Sequence, residues 1–221
     1  LASGITDIEG GGLSYCLPYS SKLSVEKSLY YWEYVDELCA QMSSLNREIM
    51  RESFGVLTAT LVPPLIVVIV QILELLMSAQ KGVKAFMLTF SQTGSIIQDL
   101  VISNVLRRLS IKFLSKLKLN VTYLKIGYHH WMGPFPKEYE KASSLIIQGT
   151  INAALINADK VIVKTKYEAH SIPTIEANCE AVSNVKYILD RFPVNDTLSN
   201  DQTNIETENL FNQAEFILNK I

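Results

Sequence analysis

Two kinds of apolar run alternate along this chain. Short runs rich in β-branched and aromatic residues predict strands at 4–8, 54–60, 83–89, 120–126 and 160–164. Longer runs with apolar positions at helical spacing predict helices at 25–42, 64–79, 96–116, 139–157 and 174–189. The last of these follows Pro173 and takes Thr174 as its cap. Strands alternating with helices of this length indicate βαβ units on a parallel sheet, and 160–164 is apolar enough between its lysines for a strand covered on both faces. The expected fold class is α/β, a partial (β/α)8, TIM-type barrel of about five βα units. Five strands do not close an eight-stranded barrel, and the first residue is Leu1, so about three more strands are expected upstream.

Beyond Pro193 the pattern changes. Residues 195–207 are polar and aperiodic, which predicts a linker or mobile segment, and 210–221 carries apolar residues at helical spacing, which predicts a short amphipathic helix. The expected division is a partial barrel over 1–192 and a linker with a terminal helix over 193–221. The apolar run 61–77 is short for a bilayer, has Pro63-Pro64 near its start and is interrupted by Gln71 and Glu74, so a buried helix is expected rather than a membrane span.

Composition narrows the possible functions. The chain has 221 residues, 48% of them hydrophobic, and a formal net charge of -2, which is ample for one core and argues against a dedicated nucleic-acid binder. Arg107, Arg108, Lys112, Lys116 and Lys118 are expected to form a solvated helix face. Cys16, Cys39 and Cys179 are an odd count without metal-ligand spacing, which suits reduced thiols in a cytoplasmic protein.

In parallel α/β folds, chemistry gathers where strands end. After the first predicted strand comes Glu9-Gly10-Gly11-Gly12, then Ser14-Tyr15-Cys16-Leu17-Pro18-Tyr19. An acid and two tyrosines beside a glycine turn suit a small zwitterion, although an ordinary βα loop has the same look. After the fourth, Tyr128-His129-His130-Trp131-Met132-Gly133-Pro134-Phe135-Pro136 is either an apolar wall for a large planar ligand or plain packing. Adjacent histidines on a strand face opposite ways, so no metal site is expected there. After the fifth, Lys164 and Glu168 suit either a polyhydroxyl group such as a ribose or a surface ion pair.

Several long motifs in register resemble one family. Glu9 to Tyr19 resembles the substrate loop of the epsilon subunit of glutamate mutase, also called methylaspartate mutase, and so do Asn46-Arg47-Glu48, Phe54-Gly55 and Thr60-Leu61-Val62-Pro63-Pro64. The strongest likenesses are His129-x-Trp131-Met132-Gly133-x-Phe135-Pro136, Lys160-Val161-Ile162-Val163-Lys164-Thr165-x-x-Glu168-Ala169 and Ile172-Pro173-Thr174-x-Glu176-Ala177-Asn178. The resemblance runs over about residues 1–190. It implies a β/α barrel that interconverts (S)-glutamate and (2S,3S)-3-methylaspartate by a radical rearrangement with adenosylcobalamin. It also implies a small, sigma-type cobalamin-binding partner subunit and a homodimer of barrels within a heterotetramer. Glu9 would hold the substrate ammonium, Tyr15 and Tyr19 would bond its polar groups, Pro18, Phe135 and Ile172 would line the cofactor side, and Lys164 and Glu168 would grip the adenosine ribose.

The chain also departs from the family. The arginines that clamp the substrate carboxylates there come from earlier strands, a region this chain does not contain, and Asp-x-His-x-x-Gly, the motif of the cobalamin-carrying subunit, does not occur here. Cys16, Lys166, Tyr167, Ser171 and the segment 88–95 differ from the family pattern. The alternative reading is a diverged or truncated, non-catalytic relative that acts as a scaffold or partner-binding module.

Overall fold

All strands described by the computed structural model, which covers residues 4–16, 22–45, 48–192 and 201–221, run in the same direction. They are β1 (Asp7–Glu9), β2 (Met50–Ser53), β3 (Ala85–Ser91), β4 (Tyr123–His129) and β5 (Lys160–Ile162), side by side in chain order. Between them lie α1 (Val25–Ser44), α2 (Pro64–Gln80), α3 (Ile96–Lys116) and α4 (Tyr139–Leu155); α5 (Ile175–Leu189) and α6 (Asp201–Leu218) follow β5. The α/β class and the βα alternation expected from the sequence are therefore present.

The local reasons are those the sequence offers. Ser24 caps α1 by accepting from the Lys27 amide, Thr174 caps α5 from the Ala177 amide, and Pro64 opens α2, where a missing amide hydrogen costs nothing. The second predicted strand is misplaced. Residues 54–60, read as a strand for their β-branched content, form a turn containing a 3-10 segment (Val56–Thr58), and the strand is the preceding Met50–Ser53. Arg51, Glu52 and Ser53 are fully buried there, and the two charged side chains are stable in a buried strand only with partners supplied from elsewhere in the fold.

The sheet is curled. Laid flat, four steps of about 4.8 Å would hold β1 and β5 roughly 19 Å apart. Yet Lys160 of β5 bonds Asp7 of β1 at 3.1 Å, which one lysine and one aspartate can manage only across a concave face. The five strands thus form a half-barrel.

The apolar core lies on the convex side. Phe86, Leu88, Phe90, Ile126 and Tyr128 point outward from β3 and β4 onto Val68, Ile72 and Leu75 of α2 and Ile102, Leu106 and Leu109 of α3. The apolar run 61–77 becomes α2, and none of the described helices is long and apolar enough to cross a membrane.

The C-terminal region departs from expectation. α6 begins at Asp201, well inside the stretch read as polar linker, and buries Leu210, Phe211, Ala214 and Leu218 in the same core. Its acids pair with two of the basic residues of α3, while Arg107 donates to the Ile156 and Asn157 carbonyls. Arg108 pairs with Glu208 at 2.6 Å, Lys112 with Glu215, and Lys116 donates to Asn219. The Phe211 ring lies 4.3 Å from the Arg108 guanidinium. The face stays exposed to solvent, as expected, and also borders α6, whose apolar side chains dock beside it. Lys118 lies beyond it, in the turn after α3.

The ring and the ion pairs contribute unequally. Phe211→Ala is expected to lower unfolding free energy by about 3 kcal/mol or more, whereas Glu208→Gln, at an exposed pair, should cost less than about 1 kcal/mol. Urea unfolding of the two variants checks the ordering.

Candidate functional site

Alternation along the strands decides what faces the concave side. The register pairs Glu9 with Glu52, Thr89 with Gly127, and Gly127 with Lys160. Asp7, Glu9, Glu52, Thr89, Gly127, His129 and Lys160 therefore share the inner face. Glu52 has no exposed surface; it accepts from the Thr89 hydroxyl at 2.7 Å and from Lys160. Burial is the main force raising the Glu9 carboxyl above the usual carboxylate range; the Glu52 charge adds to it, Lys160 opposes it, and Asp7 adds a little.

The end of β1 is held from behind. The buried Arg51 guanidinium bonds Asp36 at 2.6 Å and donates to the carbonyls of Ile8 at 2.9 Å and Gly10 at 3.2 Å, the residues on either side of Glu9. Asp36 in turn accepts from Ser78, and the indole of Trp32 covers the guanidinium at 4.5 Å. Glu74 of α2 accepts from the Leu13 amide at 2.7 Å and the Ser14 amide at 2.9 Å. A Cβ on Gly11 would stand 2.3 Å from the Glu74 carboxylate, so this approach requires glycine.

The loops after the strands are stitched into one rim. Leu57 donates to the Ser14 carbonyl, and the Thr60 hydroxyl donates to the Gln92 carbonyl while accepting from the Met132 amide. The Gln92 side chain accepts from the Trp131 amide, and the His130 ring accepts from the Lys164 amide. Phe54 stacks on His129 with centroids 5.1 Å apart.

The predicted site residues among the described ones can now be placed. Glu9 ends β1, and Tyr15 lies in the same loop, its amide bonded to Gly11 and its ring beside Gly55. Lys164 follows β5 and pairs with Glu168 at 2.6 Å. Asp7 and Lys160 touch directly; Glu9 lies two residues beyond the first and Lys164 four beyond the second, in the same direction along parallel strands. Glu9, Tyr15, Lys164 and Glu168 thus share one rim. Phe135, half-buried, follows β4 on that rim, and Ile172, 94% exposed, lies just before α5. Pro18 and Tyr19 lie outside the described residues.

The sequence reading missed Arg51, Asp36, Glu52, Glu74 and Lys160. A signal existed for Glu74 and its neighbour Gln71, because both are polar in an otherwise apolar helix; the Gln71 side chain donates to the carbonyls of Ser53 and Thr89. A groove of about 280 Å³ between α4 and α5 lies outside the sheet, and neither Glu9 nor Lys164 borders it.

The adjacent histidines differ in role. The His130 ring accepts from Lys164 at Nδ1 and faces the Thr150 hydroxyl with Nε2, an arrangement for the neutral ring. Burial, with a smaller push from His129, lowers its pKa from 6.5 to about 4. Between those values the unfolded chain binds a proton and the folded chain does not. Stability should therefore fall as pH drops through this window, by at most about 1.4 kcal/mol per pH unit from this residue. Urea unfolding between neutral pH and pH near 4 is expected to show a shallower decline in His130→Gln.

Residues 1–221 match the family model described as methylaspartate mutase E chain (MutE). The chain is 42% identical to the glutamate mutase epsilon subunit of Desulfitobacterium hafniense (strain Y51) over 86% of its own length and 39% of the relative's. It is 36% identical to that of Treponema denticola, over 94% and 44% of the two chains, and 34% identical to that of Escherichia coli O157:H7, over 100% and 46%. The chain thus spans less than half the length of these relatives. Full coverage by the family model, with identity of this order over most of the sequence, places the chain in the methylaspartate mutase E chain family.

Proposed function

We propose that this chain is the substrate-facing part of the barrel subunit of an adenosylcobalamin-dependent isomerase, the glutamate mutase that interconverts (S)-glutamate and (2S,3S)-3-methylaspartate. The observation that carries the reading is the shared rim. Glu9 and Tyr15 stand at one end of the curled sheet and Lys164 and Glu168 at the other, all at strand carboxyl ends.

The inner face suits an ammonium group. Asp7, Glu9 and Glu52 outnumber Lys160 there, and Lys125, which also faces inward, is held by Asp159, so a cation is attracted and a carboxylate is not. Glu9 holds the substrate ammonium, and its raised pKa lets it take up or return a proton at that nitrogen. Tyr15 and Tyr19 bond the substrate's polar groups. The substrate carboxylates need cations from another part of the subunit, in keeping with the family's arginines on earlier strands.

The cofactor side fits as well. An ammonium and a carboxylate 2.6 Å apart, both reachable from solvent, offer a donor and an acceptor matched to the vicinal hydroxyls of a ribose. Ile172, 94% exposed four residues beyond Glu168, gives apolar surface, and the family resemblance assigns Phe135 and Pro18 to the same cofactor side. The chemistry supplied by adenosylcobalamin when bound is homolysis of its cobalt–carbon bond, and this chain binds, orients and shields. The stacked Phe54 and His129 rings close part of the wall against water. A small sigma-type subunit brings the cobalamin, and two barrel subunits pair within the heterotetramer. Such an assembly belongs in the cytoplasm, where thiols stay reduced.

In the complete subunit assembled with its cobalamin-carrying partner, Glu9→Gln is expected to cut turnover about 100-fold or more while cobalamin binding stays nearly intact. Unchanged turnover removes Glu9 from this role, and no turnover by the unaltered assembly favours the non-catalytic scaffold. Lys164→Ala should raise the adenosylcobalamin concentration needed for half-maximal rate about tenfold, as for a lost charge-assisted bond; an unaltered requirement counts against the ribose assignment.

A further inference from the structure

Three carboxylates face one ammonium inside the curl of the sheet. Asp7 and Glu9 stand two residues apart on β1, hence on one face, and Glu52 lies opposite Glu9 in the β1–β2 register. Lys160 arrives from β5 and bonds both Asp7, at 3.1 Å, and Glu52. Its path crosses Gly127, which pairs with Thr89 on one side and Lys160 on the other; a Cβ at Gly127 would stand 1.9 Å from the Thr89 hydroxyl. The bridge takes up Asp7 and Glu52 and leaves the Glu9 carboxylate open to a ligand.

The other charged groups nearby are engaged. Lys125 of β4 is held by Asp159 at 2.7 Å, and Lys164 by Glu168 at the rim, where His129 stacks on Phe54. Burial holds His129 toward its neutral form. Lys160 is thus the cation that offsets the acids around Glu9.

We propose that Lys160 is a positioning residue: anchored across the sheet to Asp7 and Glu52, it supplies the single positive charge among three carboxylates and so keeps Glu9 anionic to receive an ammonium. This rests on the reading of Glu9 as the ammonium-binding carboxylate. Lys160 touches no reacting atom itself. It acts because an opposite charge within a few ångströms favours ionisation of a carboxyl, and two neighbouring carboxylates disfavour it. The lowering effect of Lys160 on Glu9, against the raising effects of Glu52 and Asp7, agrees in sign with the geometry.

The test follows the Glu9 carboxyl directly, by carbon NMR of the full chain with labelled glutamate, its signal assigned by its loss in Glu9→Gln. In Lys160→Gln the Glu9 midpoint is expected to rise by about one pH unit or more, and Lys160→Arg should restore it toward the original value. A merely structural lysine would not move this midpoint. If Lys160→Gln does not fold, Asp7→Asn, at a partly exposed position that leaves the Lys160–Glu52 pair in place, should lower the midpoint. A midpoint unmoved in folded Lys160→Gln, or in Asp7→Asn, overturns the proposal. Turnover of the assembled enzyme is read separately. A Glu9 midpoint that follows Lys160 in an assembly without mutase turnover removes the mutase reading and leaves the electrostatic role standing.

Discussion

A carboxylate with no exposed surface needs a cation, and Glu52 finds its cation on the far side of the sheet. Much of the molecule answers to that pairing. The sheet must curl for Lys160 to arrive, Thr89 must offer a hydroxyl to the remaining oxygen, and Gly127 must lack a side chain because a Cβ there would meet that hydroxyl. Leaving such a charge buried without its partner costs several kcal/mol. The pair therefore ties curvature to the position of Glu9, which sits in register with Glu52.

The two sides of the sheet are built on opposite principles. Outside, Phe86, Leu88, Phe90 and Tyr128 pack on α2 and α3, and the few polar side chains there act as fasteners. Gln71 fixes the ends of β2 and β3, Glu74 fixes the glycine loop, and Arg51 with Asp36 fixes the carbonyls that flank Glu9. Inside, charge dominates and apolar contact is secondary. A rigid apolar exterior holding a polar interior keeps reacting groups in place without filling the space a ligand needs.

Membership in the mutase family and the layout of the rim bear on different questions. Similarity to the epsilon subunits says what kind of protein this is. In the function proposed for it, the acidic inner face receives an ammonium, and the Lys164–Glu168 pair serves the opposite end of the rim.

Local pattern was enough for α1 to α5, whereas α6 starts within a stretch that reads as polar linker. The starts of α1, α2 and α5 follow from Ser24, Pro64 and Thr174, and α3 from its uninterrupted periodicity. The motifs after the strands pointed to Glu9, Tyr15, Lys164 and Glu168 because parallel strands bring their carboxyl ends to one side whatever the rest of the fold does. The sequence could not place β2, since the polar triplet Arg51-Glu52-Ser53 reads as loop until Asp36, Thr89 and Lys160 arrive from distant elements. Nor could it show that the basic residues of α3 receive α6, because the matching acids lie about a hundred positions away. Periodicity and caps are set by neighbours in the chain. The pairing of buried charges is set by neighbours in space, and only the tertiary structure decides those.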